Sequence, residues 1–199
     1  MLQKSFTKLL PLALAFCLGD RVRAEDIPDK TRAWNKIPAC EYLANKYNDG
    51  DSFQAKVANE VRWLRLPYVD TPEADERFAT RNEEQAKHFG ISPSEVTTAG
   101  KEASVATAKL LSQPFTVYTR WASAAGSTRL PRFSAFIELS DGRDLGEVLL
   151  SMGLARVKGT KMNTPKGETV EVYQARLEKL EAEAKARGVG IWAHAAGKK

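Results

Sequence analysis

Two short acidic turns, with an arginine between them, hold the residues best suited to handling a charged oxygen. Asp49-Gly50-Asp51-Ser52-Phe53 opens one strand-like run. A second, largely apolar run over residues 61–69 carries Arg62 and Arg65 and empties into Asp70-Thr71-Pro72-Glu73. Pro72 cannot continue a ladder, so the strand stops and two carboxylates collect at its end. Hard cations take such oxygens as ligands, and a planar, permanently charged guanidinium suits a phosphate in transfer. The bland readings are that Asp51 only shapes a turn and that Asp70 and Glu73 only solvate a strand end. For any one residue in isolation the bland reading is the better one. Other chemistries find less support. His88 and His194 are too isolated for a metal pair or a catalytic dyad, and neither a zinc-type Cys/His spacing nor a Ser or Cys nucleophile motif occurs.

The joint pattern is more specific than its parts. Asp-Gly-Asp-Ser-Phe, the spaced arginine, Val-Asp-Thr-Pro-Glu, a later arginine in a strand and the terminal Gly-Val-Gly-Ile-Trp occur in the order of the staphylococcal nuclease family, which residues 47–192 resemble. The resemblance implies an α+β domain built on a five-stranded OB-type β-barrel with three to four helices. It implies Ca2+ as the cofactor, with Asp51, Asp70 and the backbone carbonyl of Thr71 matching the metal ligands. Glu73 matches the carboxylate that positions or deprotonates the attacking water, two roles that sequence leaves open. Arg65 and Arg132 match the guanidiniums that grip the phosphate, Arg132 being placed by Arg-Phe-Ser-Ala-Phe-Ile against the family's Arg-Gly-Leu-Ala-Tyr-Ile. On these matches the chain is expected to be a monomeric endonuclease, hydrolysing DNA and RNA with little sequence specificity to a 3′-phosphate and a 5′-hydroxyl. Loss of Asp51 or Asp70 is expected to abolish calcium-stimulated cleavage and leave the fold intact.

Three departures bear on substrate detail. The family's tyrosine two places before the second arginine falls on Leu130, and its nucleotide-contacting tyrosine falls on Gly159. A charged helical pattern over residues 74–89 stands where staphylococcal nuclease has a plain loop. This inserted helix reads either as a solvated surface element or as a wall that narrows the cleft and favours single strands or chain ends over intact duplex. Two other classes compete with the nuclease. One is a non-catalytic nucleic-acid-binding OB-fold module. The other is an envelope protein recruiting partners through the charged helix.

The first residues read as a leader. Lys4 and Lys8 precede an apolar core over residues 9–19, and Val22-Arg23-Ala24 makes a cleavage site before Glu25. The core is too short to span a bilayer as a helix. Cleavage before Cys17 as a lipoprotein ranks second, because Phe16 is bulky where that signal needs a small residue. The expected organisation is therefore a signal peptide (1–24), an exported polar arm (25–41), the nuclease-like domain (42–195) and a basic tail (196–199). It goes with a secreted or periplasmic location and no stable membrane association after cleavage. Lys4, Lys8, Arg21 and Arg23 less Asp20 account for +3 of the formal +5, leaving +2 on the mature chain. Net charge then says little about nucleic acid, and the placement of the arginines must carry that argument. Cleavage would leave Cys40 as the single cysteine, without a partner for an intramolecular disulfide.

Several elements must position the acidic turns. Strands are expected at 42–47, 53–57, 61–69, 115–121 and 132–139. Ser92-Pro93-Ser94-Glu95 reads as a capping box. Gly100 is expected to break or weaken the helix that follows, with a second segment over 101–111. Asp144 caps a short helix with Leu145, Val148, Leu149 and Met152 as its buried stripe and Gly153 as its end. A last helix over 170–187 places Tyr173, Leu177, Leu180 and Ala184 on one face before Gly188. One difficulty stands out. Arg65 and Asp70 are five apart, which in a regular strand puts them on opposite faces; Pro67 between them suggests a bulge or early exit that could re-aim one, and the resemblance is what implies that they converge.

Overall fold

The computed structural model describes residues 33–124 and 131–196. The leader and Leu130 lie outside the described residues. Five strands close into a barrel in the order β1 (Asn35–Leu43), β2 (Ser52–Val57), β3 (Glu60–Arg65), β6 (Arg132–Glu138) and β5 (Phe115–Ser123). Phe53, Ala55 and Val57 alternate with outward Gln54 and Lys56, and their inward side chains meet Leu64, Phe115, Val117, Ala135 and Ile137 in one apolar core. Closure comes from a parallel pairing of β3 with β6, in the register Trp63↔Arg132, Leu64↔Phe133 and Arg65↔Ser134. The residue pairs flanking Leu64 therefore face out of the barrel side by side, so that Arg65 and Arg132 share one outer face.

The run read as one strand over 61–69 is two strands. β3 ends at Arg65, and Tyr68 takes a left-handed conformation with φ 63°. That φ is costly for a bulky residue, and it is held by burial, by the backbone hydrogen bonds of Tyr68 to Thr160 and Lys158, and by its hydroxyl. The Tyr68 hydroxyl donates to the Met162 carbonyl at 2.6 Å and accepts from the Met162 N–H at 2.9 Å. The chain then re-enters as β4 (Val69–Asp70), paired antiparallel with β7 (Arg156–Val157) in the register Asp70↔Arg156. This reversal re-aims Asp70 toward Arg65.

β1 begins at Asn35, so the end of the segment expected as an exported arm belongs to the barrel. It accommodates Pro38 through a register shift between Ile37 and Cys40, with Ala39 at φ 55°. Cys40 is fully buried as a free thiol.

Among the described residues five helices surround the barrel: α1 (Ala79–Phe89), α2 (Pro93–Leu110), α3 (Leu145–Ser151), α4 (Val170–Arg187) and α5 (Ile191–Ala196). The inserted helix starts at Ala79, leaving 74–78 irregular. It is not a solvated element, because Ala86 and Phe89 pack with Ile91, Val96, Ala99, Ala184, Ile191 and Trp192 in a second apolar cluster. The Ser92–Glu95 capping box forms as read, and Asp144 caps α3 through the Glu147 N–H at 3.0 Å. In α3, however, Leu150 completes the buried stripe and Met152 is exposed.

α2 runs through Gly100 without a break. A Cβ at Gly100 would stand 2.4 Å from the Glu73 carbonyl carbon and 2.6 Å from the Ala74 nitrogen, so the glycine lets the helix press against the backbone behind Glu73. From the other side Gly50 meets Thr71, with a Cβ position 2.6 Å from its Cγ2. The Thr107 hydroxyl fixes Gly50 by donating to its carbonyl at 2.8 Å. Gly100→Ala is therefore expected to destabilise the protein by about 1–3 kcal/mol through overpacking, although alanine is the better helix former. A thermal melt checks this: a Tm equal to or above that of the wild type would contradict the contact.

Candidate active site

Asp51, Arg65, Asp70, Thr71, Glu73 and Arg132 come together where β2, β3, β4 and β6 meet. The Arg65 Nη2 donates to Asp51 Oδ2 at 3.1 Å and lies 3.7 Å from Asp70 Oδ1. Asp51 Oδ2 also accepts from the Thr71 N–H at 3.2 Å. Arg132, only 7% exposed, donates from Nη1 to the Ser52 hydroxyl at 3.3 Å. Glu73 is half-buried at the rim. Asp49, beside Asp51 in the turn, accepts the Ser52 N–H at 2.6 Å and sets the geometry from which Asp51 projects.

Four further residues hold this site, and none was assigned to it from sequence. Gln85 of α1, fully buried, donates to Asp70 Oδ2 at 3.2 Å and to the Thr71 carbonyl at 2.9 Å, and accepts the Glu73 N–H at 2.8 Å. Arg81, one turn earlier on the same helix face, forms ion pairs with both Asp70 and Glu73. Arg156 of β7 donates from Nε to Asp70 Oδ2 at 2.8 Å, and its other nitrogens grip Glu84 at 2.8 and 2.5 Å. Those Arg156 hydrogen bonds hold the Glu84 carboxyl at about 2. The inserted helix is thus joined to the site through Arg81, Glu84 and Gln85. Their i, i+3 and i+4 spacing signals one shared helix face, but nothing in the sequence says what that face meets.

The charges are unevenly matched. Burial pushes the Asp49 carboxyl well up, with the Asp51 carboxylate adding to it. Burial also raises Asp51 against the pull of Arg65, and raises Glu73 against the pull of Arg81. Arg65 resists the effect of burial because Asp51, Asp49, Asp70 and Glu73 all favour its charge. Arg132 has less compensation: burial and then the neighbouring Arg65 pull it below the usual arginine value.

Asp51 Oδ1 is buried without a hydrogen-bond partner. An orphaned carboxylate oxygen beside two other raised carboxyls is a place a hard cation would satisfy. The Thr71 carbonyl, with one lone pair on Gln85, retains a second. Asp70, the other carboxylate expected as a ligand, stands in a different setting. Its oxygens are engaged by Arg81, Arg156 and Gln85, and among the described residues no three His, Cys, Asp or Glu side chains are gathered as ligands. Asp70 is 3% exposed, much like Asp51 at 2%, and differs from it in being paired with an equally buried arginine. The donor set fits a cation at Asp51 and Thr71, with Asp70 joining by sharing the oxygen that Arg81 holds.

The site opens into a cleft of about 970 Å³, whose lining includes Tyr47, Ser52, Arg65, Glu73, Phe78 and Arg132. This is ample for a nucleotide, whereas the cavity beside Tyr118, Asp144 and Tyr173 holds about 60 Å³. Gly159 lies against the backbone of Tyr68 and offers no ring to the cleft.

Among curated proteins none matches the chain. One family model does, described as Staphylococcal nuclease homologue, over residues 63–194. The match begins in β3 and runs through α5, taking in Arg65, Asp70, Thr71, Glu73 and Arg132 and leaving Asp51 upstream. It spans more than half of the chain, and with the closed barrel and the clustered arginines and carboxylates it identifies the protein as a member of the staphylococcal nuclease homologue family.

Proposed function

We propose that the protein is a calcium-dependent endonuclease that hydrolyses phosphodiester bonds of DNA and RNA with little sequence specificity. One observation carries this reading. Arg65 and Arg132, on adjacent parallel strands, face a cleft that also receives Glu73, while Asp51 keeps a buried oxygen free beside them. The two guanidiniums bind the phosphate and stay in place as negative charge builds on its oxygens. Glu73, its carboxyl raised by burial, orients the attacking water or accepts its proton. Water adds to phosphorus as the bond to the 5′ oxygen breaks; the water's proton passes to Glu73 or to solvent, and the departing oxygen takes a proton from solvent, giving a 3′-phosphate and a 5′-hydroxyl. A calcium ion held by Asp51, the Thr71 carbonyl and Asp70 would supply positive charge to the phosphate and water.

A second reading, binding without cleavage, draws on the Arg81 ion pairs that occupy Asp70 and Glu73. A plasmid and RNA digest separates the two. Cleavage in calcium that stops with chelator is expected; retention of nucleic acid without cutting under both conditions supports the binding module.

We further propose that the chain is exported and acts as a secreted or periplasmic monomer. Lys4, the apolar core over 9–19 and Val22-Arg23-Ala24 support export. No helix among the described residues is long and apolar enough to cross a membrane. N-terminal sequencing from the producing cell is expected to find Glu25 first; an uncleaved cytoplasmic form would refute export.

A further inference from the structure

We propose that Tyr47 and Phe78 form a base-stacking platform that makes this cleft select single-stranded, base-bearing nucleic acid over duplex. The proposal rests on the nuclease reading and deepens it. Among the described Phe, Tyr and Trp residues these are the two with exposed rings, at 58% and 51%, and both line the same cleft. The other exposed large apolar side chains among the described residues, Val61, Val105, Met152 and Val172, are aliphatic and lie outside the cleft.

Local structure gives no reason for a phenylalanine at position 78. It is the N-cap residue of α1 and makes no side-chain capping hydrogen bond. A Ser, Asp or Asn there would typically stabilise the helix by about 1 kcal/mol. The chain thus forgoes a cap and exposes an apolar ring to water at the same position. Such a break in local consistency is expected where a side chain is kept for function. Tyr47 stands in the turn between β1 and β2, anchored through its backbone N–H to Asn45 Oδ1 at 2.9 Å, which leaves the ring outward. Lys46 Nζ lies 4.9 Å from that ring, and Lys101 lines the cleft as well. Aromatic faces interleaved with cations, leading to Arg65 and Arg132, form a surface for a polyanion whose bases are free to stack. In a duplex the bases already stack and pair, so these rings gain nothing without unstacking it. The wall comes from the segment joining Glu73 to the inserted helix and from the turn that carries Asp49 and Asp51. The specificity surface is therefore continuous with the catalytic turns.

The test uses three substrates of equal length: a single DNA strand, the same strand in duplex, and a strand of abasic deoxyribose phosphates. KM and kcat are measured in calcium for the wild type, Tyr47→Ala, Phe78→Ala and Phe78→Trp. The wild type is expected to take the base-bearing single strand with the lowest KM. Each alanine should raise that KM about 5- to 150-fold, the effect of about 1–3 kcal/mol of stacking per base. The advantage of the base-bearing strand over the abasic one should shrink accordingly, and Phe78→Trp should restore it. Equal KM for base-bearing and abasic strands in the wild type would overturn stacking and leave the nuclease reading standing. So would an advantage that survives in both alanine variants. A wild type that cuts none of the three substrates would overturn both.

Discussion

Lysine in place of Arg132 is expected to lower kcat on DNA by about 10²–10³ with little change in KM, the usual loss when one preorganised charge donor is removed at a reacting centre. The geometry explains why so conservative a change should matter. Arg132 is buried to within 7% of full coverage, and its Nη1 is already committed to the Ser52 hydroxyl at 3.3 Å. The planar fork leaves its other nitrogens for a phosphate, whereas an ammonium is a single point that cannot serve both. Electrostatics point the same way. Four carboxylates favour the charge of Arg65, but Arg132 is held next to that guanidinium and is lowered by burial and by it. An entering phosphate relieves this, most of all as its charge grows in the transition state. Arg65→Lys is expected to fall in the same range, with an added loss of stability because Arg65 also pairs with Asp51. Near-normal kcat in Arg132→Lys would remove Arg132 from the chemistry.

Much of the barrel was readable because its strands follow local rules. The alternation at Phe53, Ala55 and Val57, the Ser92–Glu95 box and the α4 span with its Gly188 stop are each determined by a few neighbouring residues. What was not readable depended on contacts made across the fold. Arg65 and Asp70 meet only because Tyr68 accepts a left-handed backbone, held by Met162 far along the chain. Gly100 reads as a helix breaker until the Glu73 backbone is seen pressed against it. β1 reads as an arm because Pro38 breaks the strand pattern, and the bulge that accommodates it is a property of the pairing with β5. The site shows the same division. The acidic turns and both arginines carry a sequence pattern, whereas Gln85, Arg81 and Arg156 look like ordinary helix and strand residues until tertiary packing turns them onto Asp70.

That packing predicts that the two aspartates expected as equivalent ligands behave differently when removed. Asp70 is 3% exposed and Arg156 2%, and Arg81 shares the same carboxylate. Removing one partner of a buried pair leaves the other's charge undercompensated, which costs about 3–5 kcal/mol. For a chain of this size the Tm of Asp70→Ala should fall on the order of 10 °C. Glu84 retains its hold on Arg156 and keeps the loss from being larger. Asp51→Asn is the contrasting case. The amide keeps an oxygen for the Thr71 N–H, and it removes a charge that burial already disfavours and that raises its neighbour Asp49. Losing the Arg65 ion pair offsets part of that relief, so its Tm shift should be well under half that of Asp70→Ala. Both variants should lose calcium-stimulated cleavage, Asp51→Asn because the orphaned Oδ1 is the oxygen best placed for the ion. Thermal melts in chelator separate stability from metal binding, and digests in calcium report the rest. Equal Tm losses in the two variants would mean that Asp70 does not anchor Arg156, and that its burial with three basic or amide partners is incidental to the fold.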